Sequence, residues 1–196
     1  MGREPLSSAA AVTIRSALAA YADHPDATTR LANSIALLVG SNGPFYPLYV
    51  WWLVPEAGPA ALATMAASPG FLAIPWLARW RSVLGRVALP LLGVANTAWT
   101  VVLLGPDSGV VAFVAPCLLL AGLAWRERYW LLVVLGIGMV VQFGAPHWPL
   151  PPLAALAPVQ QVSLAPLHAM SAAALICVII FSAGRALRVR VQYAQE

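Results

Sequence analysis

Between residues 31 and 184 the chain consists of long apolar runs separated by short charged or proline-rich connectors. At about 1.5 Å of helix per residue, each run is long enough to cross about 30 Å of hydrocarbon. A soluble core cannot absorb that much apolar surface, for 61% of the residues are hydrophobic and only 9% are charged, against roughly 25% charged in an ordinary soluble domain. Two architectures satisfy every backbone polar group in lipid, the helical bundle and the closed β-barrel. A barrel needs alternating polar and apolar side chains, and the run LLVVLGIGMVV at 131–141 has no such alternation. The expected fold is all-α: a polytopic membrane bundle of six transmembrane helices at 31–54, 60–78, 87–104, 109–125, 129–145 and 163–184.

The basic residues, all arginine, orient this bundle. Arg3, Arg15 and Arg30 precede the first span, Arg79, Arg81 and Arg86 join the second to the third, Arg126 and Arg128 join the fourth to the fifth, and Arg185, Arg188 and Arg190 follow the sixth. The other three connectors hold neither Arg nor Lys, so all eleven positive charges fall on one side. Basic flanks are retained in the cytoplasm, which places both termini inside; the expected location is the inner (plasma) membrane of a bacterial cell. The net charge of +4 follows from this topology, and nucleic acid is not an expected partner. Arg79, Arg81, Arg86, Arg126 and Arg128 are also candidates for anionic headgroups of the lipid bilayer.

Three regions follow: an N-terminal cytoplasmic segment at 1–30, the membrane domain at 31–184 and a basic helical tail at 185–196. The first thirty residues lack the basic-then-apolar pattern of a cleavable signal. They predict a short interfacial helix capped by Ser7 or Ser8, with Ile14, Leu18 and Tyr21 on one face, ending near His24-Pro25. Of the Arg-free connectors, the one at 146–158 carries five prolines and an amphipathic PLAAL stretch, expected along the membrane surface. Trp51, Trp52, Trp99 and Trp148 are expected at the outer boundary and Trp76, Trp80, Trp125 and Trp130 at the inner one. Cys117 and Cys177 read as buried reduced thiols.

No Asp, Glu, Lys or Arg lies inside an expected span, which argues against proton- or ion-coupled transport. The polar set left inside is Ser41, Asn42, Asn96, Thr97, Thr100, Gln142, His168, Ser171 and Cys177. Counting from the arginine boundaries puts Asn42 and Asn96 near mid-depth and Gln142 and His168 farther out, level with Tyr46, Tyr49 and Trp99. Two readings stand. In one, these groups bond helix to helix, each contact being worth about 0.6 kcal/mol on average; in the other, His168, Gln142, Asn96, Trp99, Tyr46, Tyr49 and Asn42 line a pocket for a small amphiphile. No cofactor is expected: His24 and His147 do not match His168 in depth for haem, and no His, Cys, Asp or Glu pair has metal-ligand spacing. Ser41 and His168 lack the flanking pattern of a proteolytic dyad, so no enzymatic activity is expected.

Gly40, Gly43, Pro44 and Pro47 predict a kink in the first span, and Ser68-Pro69-Gly70 a second break in the next. The first span, GSNGPFYPLYVWWLVPE, and the inner loop RWRSVLGRVALP carry a resemblance to the hexahelical input domains of CqsS-type autoinducer receptor kinases and to the six-helix anchors of bacterial adenylate cyclases, over about residues 25–190. That resemblance implies a receptor module that binds a small hydrophobic signal and acts on a cytoplasmic output domain. No phosphoacceptor His motif or catalytic carboxylate set follows Arg190, so the implied roles are a stand-alone sensor, a subunit acting on a separate cytoplasmic signalling protein or a second copy of itself, or a fragment of a longer product. The expected function is a non-enzymatic membrane sensor or anchor; the alternatives are an accessory subunit of a membrane complex and a small channel or facilitator.

Overall fold

Capping and breaking residues decide where the apolar runs become helices. In the computed structural model, which describes residues 6–124, 126–147 and 151–193, the chain is all-α. Helix α1 (Leu6–Ala22) stops two residues before His24, as its apolar face predicts, but Ser7 and Ser8 lie within its first turn rather than before it. Its Ile14 and Leu18 are exposed, while the Tyr21 hydroxyl donates to Leu72 O at 3.0 Å and Arg79 stands 5.2 Å over the Tyr21 ring. Helix α2 (Ala27–Asn42) starts where Asp26 accepts from Thr29 N at 3.0 Å, a side-chain N-cap. Gly43-Pro44-Phe45 then breaks the run, and α3 (Tyr46–Leu53) resumes with Pro47 in its first turn.

Short 3-10 turns connect the next elements. Helix α4 (Gly58–Ala63) passes through Thr64–Ala67 into α5 (Ser68–Trp80), so the irregularity expected at Ser68 begins four residues earlier. Arg81 alone, in extended conformation, links α5 to α6 (Ser82–Leu104). Helices α7 (Val114–Ala121), α8 (Arg128–Gly144) and α9 (Pro158–Tyr193) follow. Four runs are long and apolar enough to cross a membrane: Pro55–Trp80, Ser82–Leu104, Arg128–His147 and Pro158–Arg185. The two remaining segments expected to span differ for identifiable reasons. The first is split between α2 and α3 by the Gly-Pro pair, and the fourth is the shorter helix Val110–Ala124, tightened by 3-10 turns at both ends.

Helices α2, α5 and α6 pack on one another, and small residues set how closely. A Cβ added to Gly40 would meet Leu72 at 2.9 Å, one on Gly43 would meet Ser68 Oγ at 1.7 Å, and one on Gly85 would meet Ala78 Cβ at 2.6 Å. Close approach, rather than exposed carbonyls, is thus what Gly40 and Gly43 provide. One apolar core, around Ile35, Phe71, Ile74, Leu89 and Leu120, fills the end of the bundle that carries the arginine loops. A second, around Val50, Val54, Leu103, Leu104, Leu156 and Leu164, fills the opposite end.

The segment 151–157 docks on the end of α6. Leu153 N and Ala154 N each donate at 3.0 Å to Val102 O and Leu103 O, satisfying carbonyls in the last turn of α6. Leu156 is buried in the second core, although Leu153 remains exposed. Trp51, Trp52, Trp76, Trp80, Trp99 and Trp130 all keep exposed surface, as boundary anchors require; Trp125 and Trp148 lie outside the described residues. Cys117 is buried, but Cys177 is exposed on α9, correcting the expectation that both thiols are buried.

Candidate functional site

Between the two cores the helices do not close. A cavity of about 480 Å³ lies there, within the size range of small-molecule sites. Its lining follows α6 from Leu89 to Thr100 and α9 from Leu167 to Val178, twelve residues in each case, or about 17 Å of helix rise. Phe71, Val110, Phe113 and Leu120 contribute to a mostly apolar wall. The breaks in the first two apolar runs matter here: Asn42 and Gly43 at the end of α2, Tyr46 and Tyr49 on α3, and Thr64 and Ser68 at the 3-10 turn all border the space.

Of the seven residues singled out from the sequence, the structure brings Asn42, Tyr46, Tyr49 and Asn96 together on this lining. Gln142 is elsewhere, because α8 contributes no part of the wall. Trp99 is elsewhere too, its indole N–H donating to Ala63 O at 3.0 Å and tying α6 to the end of α4. His168 is fully buried outside the lining, in ring contact with Tyr46 and Phe113, both of which do line it. Ser41 is exposed and bonded to Leu38 O, so it forms no pair with His168.

The hydrogen bonds of His168 define its tautomer. Nδ1 lies 2.5 Å from Ser108 O, and since a carbonyl only accepts, Nδ1 carries the proton. Nε2 is then the acceptor, and the Tyr46 hydroxyl donates to it. Ser108 is held in turn by its own hydroxyl, which donates to Gly105 O at 2.6 Å. That turn requires two glycines, Gly105 at φ +93° and Gly109 at φ +76°, both in the left-handed half of the backbone map. The chain Tyr46–His168–Ser108 thus joins α3, α9 and the loop after α6 beside the cavity.

At the arginine end a second polar cluster closes the bundle. Arg86, five residues into α6 and 8% exposed, donates from one guanidinium nitrogen to Asp26 Oδ2 at 2.7 Å and to Thr29 Oγ1 at 2.8 Å, and from the other to Glu127 Oε1. Asp26 also accepts from the Thr29 hydroxyl at 2.6 Å. One side chain therefore fastens the start of α2 and the α7–α8 loop to α6, which removes Arg86 from the arginines free to meet headgroups. Arg79, Arg81, Arg126 and Arg128 remain exposed.

Partial burial of Asp26 acts to raise its pKa, but hydrogen bonds from the Thr29 side chain and backbone, with the adjacent Arg86 guanidinium, outweigh it and hold the carboxyl below the usual carboxylate range. A carboxyl with a lowered native pKa stabilises the fold fully above the ordinary value, about 3.9, and that stabilisation is lost as pH falls through the native value. Thermal melting of the purified protein is therefore expected to fall steeply below about pH 4. Asp26→Asn flattens that fall; an unchanged slope in Asp26→Asn would show that other carboxyls are responsible.

Among the described residues no group of three or more His, Cys, Asp or Glu is placed to hold a metal ion. No family model, no curated protein and no solved structure matches the chain.

Proposed function

We propose that the chain is a non-enzymatic, six-span membrane module, with both termini in the bacterial cytoplasm, that binds a small amphiphile between its helices and couples it to a cytoplasmic partner. The cavity carries this reading. A subunit built only to pack needs no such space, whereas a receptor needs a mostly apolar chamber with a few convergent polar groups. Helix α9 supports the coupling, since it contributes to the cavity lining at Ser171 and continues without a break past Gly184 to Tyr193. The arginine partition supports the orientation, and the split first run reads as one span in two pieces, its break bridged by Gly43 N donating to Val39 O and Phe45 N to Asn42 O.

The channel alternative is weakened by Arg86. It lies one turn from Leu89, at one end of the cavity lining on α6, and its bonds to Asp26 and Glu127 shut that end. A path for solutes would have to break both contacts at each passage.

Filling the chamber tests the reading. Ser171→Trp places an indole in the space from α9, and the variant is expected to fold but to lose any small molecule that solvent extraction and mass spectrometry recover from the wild-type protein. An equal yield from both proteins, or a wild-type protein that yields nothing and takes up no hydrophobic probe, would remove the ligand-binding role.

A further inference from the structure

The lining of the cavity indicates what it accepts and from where. Apart from the Tyr49 hydroxyl at the mouth and the Cys117 thiol, its polar side chains fall into two groups. Thr64, Thr97 and Thr100 donate to the backbone of their own helical turns, to Ala61 O, Gly93 O and Asn96 O, and the Tyr46 hydroxyl is engaged by His168. Asn42, Ser68, Asn96 and Ser171 have no hydrogen-bond partner among the described residues, and the Asn96 Oδ1 atom is buried. These four come from α2, α5, α6 and α9, so four different helices each present one unengaged amide or hydroxyl to the same space. Only the Asn96 Oδ1 atom is buried among the four, and a buried polar atom is ordinarily satisfied. All four are neutral, and among the described residues no Asp, Glu, Lys, Arg or His lines the cavity.

The exposed part of the lining is equally specific. Leu38 and Asn42 on α2, Tyr49 on α3, and Ala174 and Val178 on α9 are its exposed members, and none comes from another helix. The mouth is therefore a side gap between the broken α2–α3 pair and α9. Leu38, Leu48, Trp51, Ile180 and Phe181 are exposed on the same helices.

Resting on the ligand-binding reading, we infer that the ligand is an uncharged amphiphile dissolved in the bilayer, with a hydroxyl or amide that both donates and accepts, and that it enters sideways between α2–α3 and α9. An ionised head has no counter-charge in the cavity and would have to leave its water behind. A hydroxyl or amide meets Asn96 and Asn42 as acceptor and donor, while its chain replaces lipid contacts with wall contacts.

The test uses the full chain in phosphatidylcholine nanodiscs, photolabelled with a diazirine-bearing long-chain alcohol. Label is expected on peptides that line the cavity, displaced by the plain alcohol and by the primary amide of the same chain. The alkyl sulfonate and alkyl trimethylammonium of that chain are expected to compete about a hundredfold more weakly. Leu38→Trp and Val178→Trp, which narrow the gap from opposite sides, are each expected to slow labelling. Charged competitors as effective as the alcohol would overturn the uncharged class while leaving ligand binding intact, and unaltered labelling rates in both mouth variants would overturn the sideways route. Absence of saturable cavity label would instead overturn the ligand-binding reading itself.

Discussion

Arg86→Ala is expected to destabilise the bundle by about 3 kcal/mol, the lower end of the range for breaking a buried ion pair. Its partners set the size of the effect: Asp26 and Glu127 keep only 32% and 18% of their side-chain surface exposed, so both carboxylates would lose the guanidinium with little water to replace it. The Glu127 Oε2 atom already lacks a partner among the described residues. Arg86→Lys restores the charge but not the fork that reaches two acids from separate nitrogens, and is expected to recover only part of the loss. Neutralising the acids discriminates an electrostatic cause from a packing one. Arg86→Met combined with Asp26→Asn and Glu127→Gln should be more stable than Arg86→Met alone. Reversible unfolding in mixed detergent measures all four variants, and a loss within about 0.5 kcal/mol for Arg86→Ala, the range of ordinary surface changes, would refute the fastening role.

The second large effect is expected at His168. Leucine there keeps much of the volume but leaves the Ser108 carbonyl and the Tyr46 hydroxyl without a partner, a loss of about 3 kcal/mol for two buried polar groups. Tyr46→Phe removes one bond and strands only Nε2, so about 1 kcal/mol is expected. Polar contacts between membrane helices average only about 0.6 kcal/mol because unfolded helices find substitutes in lipid. His168 should exceed that average because it is completely buried and both of its ring nitrogens are engaged. The same unfolding measurement decides: Tyr46→Phe as damaging as His168→Leu would mean that the ring's packing, not its bonds, carries the stability.

Much of the architecture is legible in the residue order because lipid imposes it. Apolar run lengths locate the helices, and Gly43-Pro44 predicts the break between α2 and α3 because proline cannot donate its backbone nitrogen. Four of the residues singled out in the sequence, Asn42, Tyr46, Tyr49 and Asn96, border one space. The direction in which a side chain faces around its helix is not legible from depth alone. Gln142 has a suitable level, yet α8 packs behind α6 and α7 and reaches no part of the cavity. Uniformly apolar helices carry almost no angular signal, so which helices meet is decided by close contacts such as Gly93 against Cys117. In the sequence Arg86 reads as a topology marker alongside Arg79 and Arg81; the clue to its different role is the Asp-Ala-Thr-Thr stretch at 26–29, which pairs an N-capping acid with a hydroxyl one turn away.

The proline within α9 has a mechanical consequence. Pro166 cannot donate to the preceding turn, which makes it the natural fulcrum of the longest helix. Ser171 lies five residues beyond it and Tyr193 twenty-seven, giving lever arms of about 7.5 Å and about 40 Å. A nudge of about 1 Å at Ser171 would thus swing the far tip by about 5 Å, enough for paired spin labels to register.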